Sequence, residues 1–182
     1  MGIKHTLITG STESGKTTLA RAQARMIEET GQNIIVYDPM GTPTAGGDWP
    51  KSAIIFNDDF EFLDYLNRPD VNCAHVFIDE ADEIFNLSMR ENIWILKAGK
   101  HHGFCCYLIT QRPKMVAPTA RNQCGLCYMF RLAADDQREI GRDFGHNGLE
   151  KINLDTGDYI RLVSGSREIS RGNIFQQLKG TS

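Results

Sequence analysis

The sequence predicts an α/β fold with a mostly parallel central sheet flanked by helices. Apolar runs of strand length alternate with segments of helical periodicity along most of the chain. The first run leads directly into a glycine-rich loop and then a helix, the order that is typical of parallel α/β units. After residue 157 the pattern changes to two short segments on either side of Ser-Gly-Ser, which predicts a C-terminal β-hairpin.

The apolar runs predict six strands before that hairpin. They are expected at residues 5–9, 33–38, 53–56, 75–79, 104–110 and 126–132. Helical periodicity predicts four helices between them. These are expected at residues 16–30, 59–67, 88–100 and 135–144. Residues 39–50, rich in Gly, Pro and Thr, are too long for a simple turn between strand and helix, so they form either a functional loop or a disordered one.

Length and charge narrow the class of protein. A chain of 182 residues is long enough for one well-filled core and short for two domains. No stretch approaches the roughly 20 apolar residues of a membrane span, and no secretory signal precedes the first strand, so we expect a cytoplasmic protein. The net charge of −3 argues against a surface coated with basic residues but leaves room for local basic loops that contact nucleic acid.

Residues 10–17 read Gly-Ser-Thr-Glu-Ser-Gly-Lys-Thr, a complete G-x-x-x-x-G-K-[ST] phosphate-binding loop. Gly10 and Gly15 let successive backbone N–H groups face a phosphate, Lys16 supplies a positive charge, and Thr17 offers a hydroxyl to Mg²⁺. The strand before the loop and the helix after it disfavour a glycine-rich turn without a ligand. We therefore expect a nucleoside triphosphate and Mg²⁺ at this loop. The residues expected to contact the nucleotide are Gly10, Ser11, Thr12, Glu13, Ser14, Gly15, Lys16, Thr17 and Thr18.

The strand expected at residues 75–79 ends in an acidic pair, Asp79 and Glu80. At the carboxyl edge of the sheet, Asp79 can hold Mg²⁺ directly or through water. Glu80 then lies where a base could polarise water for attack on the γ-phosphate. Alone, such a pair is usually a solvated loop or a helix cap. Beside a phosphate loop, it favours an NTP hydrolase over a nucleotide kinase, whose acceptor is a hydroxyl group.

A third polar strand end follows residues 104–110, where the sequence reads Thr110-Gln111-Arg112. A Gln at this position can contact the γ-phosphate or the attacking water and report hydrolysis to the loop beyond it. The simpler interpretation is a cap on the strand end. Three polar strand ends after apolar strands are, however, typical of a motor driven by a phosphate switch.

Together these segments resemble the FtsK/HerA superfamily of DNA-pumping ATPases. The similar segments are residues 10–17, 36–39, 76–81, 108–113 and 128–137. The resemblance spans about residues 3–145, which we take as the core of a single P-loop ATPase domain over residues 1–182, with a hairpin extension at about 155–178. In its small size, the chain most resembles the genome-packaging ATPases of tailless, membrane-containing viruses and phages.

The resemblance implies a RecA-like motor that acts as a homo-oligomeric ring, usually a hexamer. ATP would lie between subunits and double-stranded DNA in the central channel. Lys16 and Thr17 would bind phosphate and Mg²⁺, Asp79 would support Mg²⁺, Glu80 would activate water, and Gln111 would sense the γ-phosphate. Asp38 corresponds to the acidic end of the second strand and would support the site. A viral member would act in the host cytoplasm or at the virion vertex, docked on a portal or vertex protein.

The trans-acting arginine is where the sequence departs from the family pattern. Members often carry it just before the Gln-bearing strand, but residues 97–103 here read Lys-Ala-Gly-Lys-His-His-Gly. Lys100 is a candidate substitute, although it lacks the planar fork of Arg. The other candidates are arginines, each with a simpler interpretation as a surface charge: Arg121, Arg131, Arg138 and Arg142. Of all these cations, Lys100, Arg121 and Arg131 are close to equal as candidates for the catalytic role.

DNA contacts have two candidate places. The loop after Gln111 carries cations, including Arg112 and Lys114, that could face phosphates in a channel. Trp49, in the long loop, could stack on a base. An aromatic residue in a loop more often packs on its own domain.

An ATP-driven translocase of double-stranded DNA for viral genome packaging is the leading interpretation. A plasmid-transfer or chromosome-segregation motor is the alternative within the same class. A small-molecule kinase and a nucleotide-dependent assembly switch are the alternatives from other classes. The kinase would need a lid with several arginines, and DNA-stimulated turnover would separate a motor from a switch. No base-reading motif in the sequence separates ATP from GTP.

Overall fold

An eight-stranded sheet organises the chain in this computed structural model, which describes residues 5–41, 48–99 and 101–179. Its strands are β1 (His5–Thr9), β2 (Asn33–Tyr37), β3 (Ile54–Phe56), β4 (Ala74–Ile78), β5 (Cys105–Thr110), β6 (Cys124–Met129), β7 (Asp158–Val163) and β8 (Ile169–Asn173). In space they follow the order β3-β2-β4-β5-β1-β6-β7-β8. The pairs among β1 to β6 are parallel, whereas β7 runs antiparallel to both β6 and β8.

Helices connect the strands and cover both faces of the sheet. They are α1 (Lys16–Glu28), α2 (Asp59–Leu66), α3 (Ala81–Ile84), α4 (Trp94–Lys97), α5 (Pro118–Arg121), α6 (Ala134–Phe144) and α7 (Ile174–Lys179), with 3-10 turns at Arg90–Ile93 and Leu149–Lys151. The start of α2 has a local cause, because the Asp58 carboxylate accepts a hydrogen bond of 2.9 Å from the N–H of Glu61. Among the described residues, no helix has the length and apolar character needed to cross a bilayer.

Two apolar cores lie on opposite faces of the sheet. Alternate residues of each central strand enter different cores, as the period of two in a strand requires. On β1, Leu7 packs into the core that contains α2 and α6, while Ile8 packs into the core that contains α1. The central strands are therefore buried on both faces, which explains why they read as continuous apolar runs.

The predicted fold class is confirmed, including the mostly parallel sheet and the C-terminal hairpin, which is the β7–β8 pair. The helix expected at residues 88–100 differs, because a 3-10 turn precedes a short α4 there. The reason is local: Asn86 accepts hydrogen bonds from the N–H groups of Ser88 and Met89, and Asn92 donates to the carbonyl of Ile84. These side-chain bonds fold the segment back onto α3 and compete with a continuous helix.

The long loop expected at residues 39–50 is described only in part. Residues 42–47 lie outside the described residues, so its functional interpretation stays a prediction there. The return of the loop to the domain is described, and Trp49 is buried at 7% exposure.

Candidate nucleotide site

The phosphate-binding loop joins β1 to α1 at the carboxyl edge of the sheet, and its backbone requires both glycines of the motif. A Cβ atom at Gly10 would lie 2.6 Å from the Cβ of Phe130. Gly15 has a φ of 109°, a conformation that side chains disfavour. The N–H of Ser11 donates to the carbonyl of Arg131 at 2.7 Å, which ties the loop to the strand end beside it.

An open cleft of about 530 Å³ lies over this loop. It is lined by residues 12–18 and by Arg21, Asp38, Met40, Asp79, Glu80, Gln111 and Phe175. Seven of the nine residues expected to contact nucleotide therefore line it. Gly10 and Ser11 shape the loop at the end of β1 instead. The cleft thus brings together the phosphate loop and the polar ends of three strands, β2, β4 and β5.

The order of the strands explains this convergence. β5 lies between β1 and β4, so Gln111 sits between the phosphate loop and the acidic pair that follows β4. Parallel strands end at the same edge of a sheet, and ligands bind in α/β proteins outside that edge. The site is therefore a product of the topology, with each strand contributing the residue that follows it.

Lys16 reaches back over its own loop, where its ammonium group donates to the carbonyl of Ser11 at 2.8 Å. Burial lowers the pKa of Lys16 from its ordinary value, while the charges of Asp79 and Glu80 oppose that shift. The Nζ is thus held by the loop, within the electrostatic influence of two carboxylates, a position from which it can turn to a phosphate oxygen.

Asp79 is the centre of a cluster of negative charge. Burial, followed by the neighbouring charge of Asp38, raises the pKa of Asp79 to about 6. Its Oδ2 accepts a hydrogen bond of 3.3 Å from the Thr17 hydroxyl, and its Oδ1 accepts one of 3.1 Å from the N–H of Glu80. A raised carboxyl pKa indicates that the buried negative charge lacks full compensation.

This donor set fits Mg²⁺. Hydroxyl and carboxylate oxygens such as those of Thr17 and Asp79 are ligands that Mg²⁺ prefers, and proteins usually supply only one or two of them beside substrate phosphates. No group of three or more His, Cys, Asp or Glu placed to hold a metal occurs within the described ranges. The two protein oxygens fit a cation whose remaining ligands are phosphate oxygens and water.

Glu80 and Gln111 are joined by a direct hydrogen bond. Gln111 Nε2 donates to Glu80 Oε1 at 2.7 Å, and the Thr12 hydroxyl donates to Gln111 Oε1 at 2.7 Å. Glu80 adopts a left-handed backbone, with φ 51° and ψ 50°, immediately before α3. Such a backbone costs a non-glycine residue about 1 kcal/mol or more and tends to persist at functional sites. Two side-chain bonds therefore link the phosphate loop to the candidate base.

Asp38, the residue after β2, supports the site through a buried ion pair with Arg21 that sequence reasoning missed. Its carboxylate accepts hydrogen bonds from Arg21 at 3.2 Å and from the Trp49 indole at 2.7 Å. The Arg21 guanidinium also lies 5.2 Å from the centre of the Trp49 ring. The packing alternative for Trp49 is confirmed, and the DNA-stacking hypothesis is wrong because the ring is buried against the domain.

The three candidates for the trans-acting cation, which we call the finger, have different surroundings. Lys100 lies outside the described residues. Arg121 is 2% exposed and donates to Asp143, Glu139 and two backbone carbonyls, so its placement counts against a role in a neighbouring site. Arg131 is exposed beside the phosphate loop, with its Nε 3.4 Å from the Ser11 hydroxyl. The finger role stays a prediction for all three.

Phe175 is the other residue that sequence reasoning missed. It lies in the first turn of α7 and contributes an aromatic ring to the cleft. No motif marks it, because its position depends on how the hairpin of β7 and β8 packs beside the loop.

Comparisons with known proteins place this geometry among P-loop ATPase folds. Residues 2–58 match the family model of the Type IV secretion-system coupling protein DNA-binding domain. No curated protein sequence matched the chain.

Solved structures share the fold at low sequence identity. B204, the DNA-packaging ATPase from Sulfolobus turreted icosahedral virus, superposes with a TM-score of 0.77 at 20% identity, over 94% of this chain and 98% of that chain. The genome packaging NTPase B204 from Sulfolobus turreted icosahedral virus 2, solved with AMPPCP, gives 0.74 at 19% identity, over 95% and 99% of the two chains.

The pCW3 conjugation coupling protein TcpA, solved with ATPγS, gives a TM-score of 0.69 at 14% identity, over 100% of this chain and 66% of that chain. At these identities the likeness establishes a shared fold. With the family match, that shared fold confirms the resemblance of the chain to the FtsK/HerA-like P-loop DNA-pumping ATPases.

Proposed function

We propose that this chain hydrolyses ATP with Mg²⁺ and uses the free energy to translocate double-stranded DNA during viral genome packaging. The observation that carries the proposal is the pair of 2.7 Å hydrogen bonds that runs from Thr12 through Gln111 to Glu80. These bonds connect the phosphate loop to a carboxylate at the position of a general base. An acidic turn without a catalytic role would not require the Gln111 amide to bridge it to the phosphate loop.

The residues divide the chemistry among them. Lys16 would bind the outer phosphate oxygens, and Thr17 and Asp79 would hold Mg²⁺, which would neutralise charge on the phosphates. The Gln111 amide donates to Glu80 in this arrangement, and a γ-phosphate would offer it a second acceptor. Once that amide turns to phosphate, the Glu80 carboxylate is free to accept a proton from the attacking water.

Two comparisons favour DNA as the polymer that is moved. The family model is that of a DNA-binding domain, and B204 is named as a DNA-packaging ATPase. The B204 chains and this chain also cover each other almost completely, which favours the packaging role. We accordingly propose a homo-hexameric ring in the host cytoplasm or at a virion vertex, docked on a portal or vertex protein, with Arg131 reaching the neighbouring site.

A conjugative DNA motor is the second candidate, because the matched family model belongs to secretion-system coupling proteins. It shares the ATPase and DNA steps with the packaging motor. The two differ in their docking partner, so co-purification from infected cells, as opposed to plasmid-bearing cells, would separate them.

The test is ATP turnover with and without duplex DNA, measured while mass photometry reports the oligomeric state. We expect turnover per subunit to rise with assembly, because a neighbour's cation is worth about a thousandfold or more in related phosphoryl transfer, and to rise again with DNA. Glu80→Gln should keep Mg·ATP binding and lose turnover by about a hundredfold or more, as expected for loss of a general base.

The outcomes separate the candidates. Turnover that is independent of concentration and indifferent to duplex DNA at low and moderate salt would exclude the translocase and favour the assembly switch. Phosphoryl transfer to a small-molecule hydroxyl in place of water would favour the kinase. Wild-type turnover in a folded Glu80→Gln protein would remove Glu80 from the site.

A further inference from the structure

The aromatic side chain in the lining of the cleft has no role in the phosphate chemistry. Phe175 is the second residue of α7, which starts directly after β8, and its ring is half-buried. Its ring covers Gly157: a Cβ atom at Gly157 would lie 2.4 Å from Cδ2 of the Phe175 ring. One side of the ring is therefore supported by backbone, while the ring contributes surface to the cleft.

Backbone hydrogen bonds fix this ring relative to the phosphate loop. The N–H of Gly157 donates to the carbonyl of Ser14 at 3.0 Å, and the N–H of Ile174 donates to the carbonyl of Gly157 at 2.9 Å. Ile174 also packs on Gly15, where a Cβ atom would lie 3.1 Å from the Ile174 Cγ2. The segment that carries Phe175 is thus seated on the loop that would hold the phosphates.

The start of α7 is held as well. The N–H of Phe175 donates to Asn173 Oδ1 at 3.0 Å, and Asn173 Nδ2 donates to Asp158 Oδ1 at 2.8 Å. These bonds restrict the backbone from which the ring projects. A positioned aromatic ring loses little conformational freedom when a ligand stacks on it.

The sheet sets the direction in which a nucleotide would lie. Glu80 and Gln111 follow β4 and β5, on one side of the β1 strand that leads into the loop. Phe175 follows β8, which is reached through β6 and β7 on the opposite side. Because the γ-phosphate must face Glu80, the nucleoside end of the ligand points away from it, towards Phe175.

We propose that Phe175 is the platform on which the base of the bound nucleoside triphosphate stacks. This base site rests on the triphosphate site proposed above. A phenyl ring presents a π-face and has no hydrogen-bond donor or acceptor, so it recognises the shape of a base and not its edge. ATP and GTP should therefore bind within a few-fold of each other, and both should bind more tightly than CTP, whose smaller base stacks less.

The test compares a ligand that has a base with one that has none. Isothermal titration calorimetry with Mg²⁺ measures the affinity for AMPPNP, GMPPNP and inorganic tripolyphosphate in wild type and in Phe175→Leu. We expect Phe175→Leu to weaken AMPPNP and GMPPNP about tenfold, within the range for one base stacked on an aromatic ring. The affinity for tripolyphosphate should stay within about twofold, because the phosphate loop is unchanged.

Two variants serve as comparisons. Phe60→Leu makes the same chemical change at an exposed position on α2, 76% exposed, and should leave all three affinities unchanged. Phe175→Trp should retain the affinity for AMPPNP, since indole also stacks. The tryptophan fluorescence of this variant should change on addition of AMPPNP and not of tripolyphosphate. If Phe175→Leu fails to fold, this measurement tests the base site instead, and an unchanged fluorescence with AMPPNP would overturn it.

Contrary results fall into separate classes. An equal loss of AMPPNP and tripolyphosphate affinity in Phe175→Leu would overturn the base site, since the ring would then only support the loop. A loss confined to Met40→Ala, on the β2 side of the cleft, would also overturn it by placing the base there. Wild-type protein that binds neither ligand would overturn the triphosphate site itself.

Discussion

Replacing Arg121 with Met should cost the fold about 3 to 5 kcal/mol, the range for breaking a buried ion pair by removing one partner. The Arg121 side chain is 2% exposed and donates to Asp143 Oδ2 at 2.6 Å and to Glu139. It also donates to the carbonyls of Pro113 and Val116, at 2.8 and 2.7 Å. Met retains much of the apolar volume, so the loss should come from two carboxylates and two carbonyls left without this donor.

Circular dichroism during urea and thermal unfolding measures the effect. A loss of this size should lower the melting temperature by about 10 °C, at about 2 to 4 °C per kcal/mol for a chain of this length. Arg131→Met is the matched control: its guanidinium is exposed and 3.4 Å from the Ser11 hydroxyl, so its stability should change by less than about 0.5 kcal/mol.

Turnover then separates packing from catalysis. Below its melting temperature, Arg121→Met should keep its turnover per folded subunit, whereas Arg131→Met should lose turnover without losing stability. Mixing Arg131→Met with Glu80→Gln subunits should restore part of it, because the latter still offer their own Arg131 across an interface. An Arg121→Met protein that melts with the wild type and yet loses turnover would refute the reasoning and identify Arg121 as the finger.

Two further predictions concern the charges of the site. Lys16→Ala should abolish Mg·ATP binding in calorimetry while circular dichroism stays native, because the phosphates lose their cation; normal turnover in the folded variant would contradict the site. The pKa of Asp79 is raised to about 6 from an ordinary 3.8, so its proton is held more tightly in the folded state than in the unfolded state. The stability that this group adds is complete below about pH 4 and is lost as the pH rises through 6, by an amount on the order of 3 kcal/mol without Mg²⁺. In EDTA, the melting temperature of Asp79→Asn should depend less on pH between pH 4 and 7 than that of the wild type. An identical pH dependence in the two proteins would show that Asp79 does not cause it.

The chemistry-bearing residues could be predicted because their signals are local. The loop at residues 10–17 is a contiguous motif, and Asp79, Glu80 and Gln111 each follow an apolar run that ends at a sheet edge. The shared edge follows from parallel pairing alone, so the sequence is enough to predict that these residues converge.

The remaining features depend on pairings between distant residues. The position of β5 between β4 and β1 is set by contacts across about a hundred residues, such as Leu7 with Leu108, and no local pattern encodes it. An arginine is usually a surface cation, so the sequence around Arg121 does not predict its burial. The burial is explained by its ion pairs with Glu139 and Asp143, which lie on α6. Phe175 is a functional candidate only because β7 and β8 bring it back to the loop, and sequence reasoning could predict the hairpin without its place in the sheet.

The central place of β1 also has a consequence for synthesis of the chain. β1 is made first, but its partners β5 and β6 begin at Cys105 and Cys124. At roughly 5 to 20 residues per second, β1 waits about 5 to 20 seconds on the ribosome before β5 is complete. The carbonyls of Thr110 and Arg131, which accept hydrogen bonds from the N–H groups of Gly10 and Ser11, are made with the end of β5 and after β6. A nascent chain that has not yet passed Arg131 therefore has no assembled phosphate site, so ATP can stabilise only chains that extend beyond this residue.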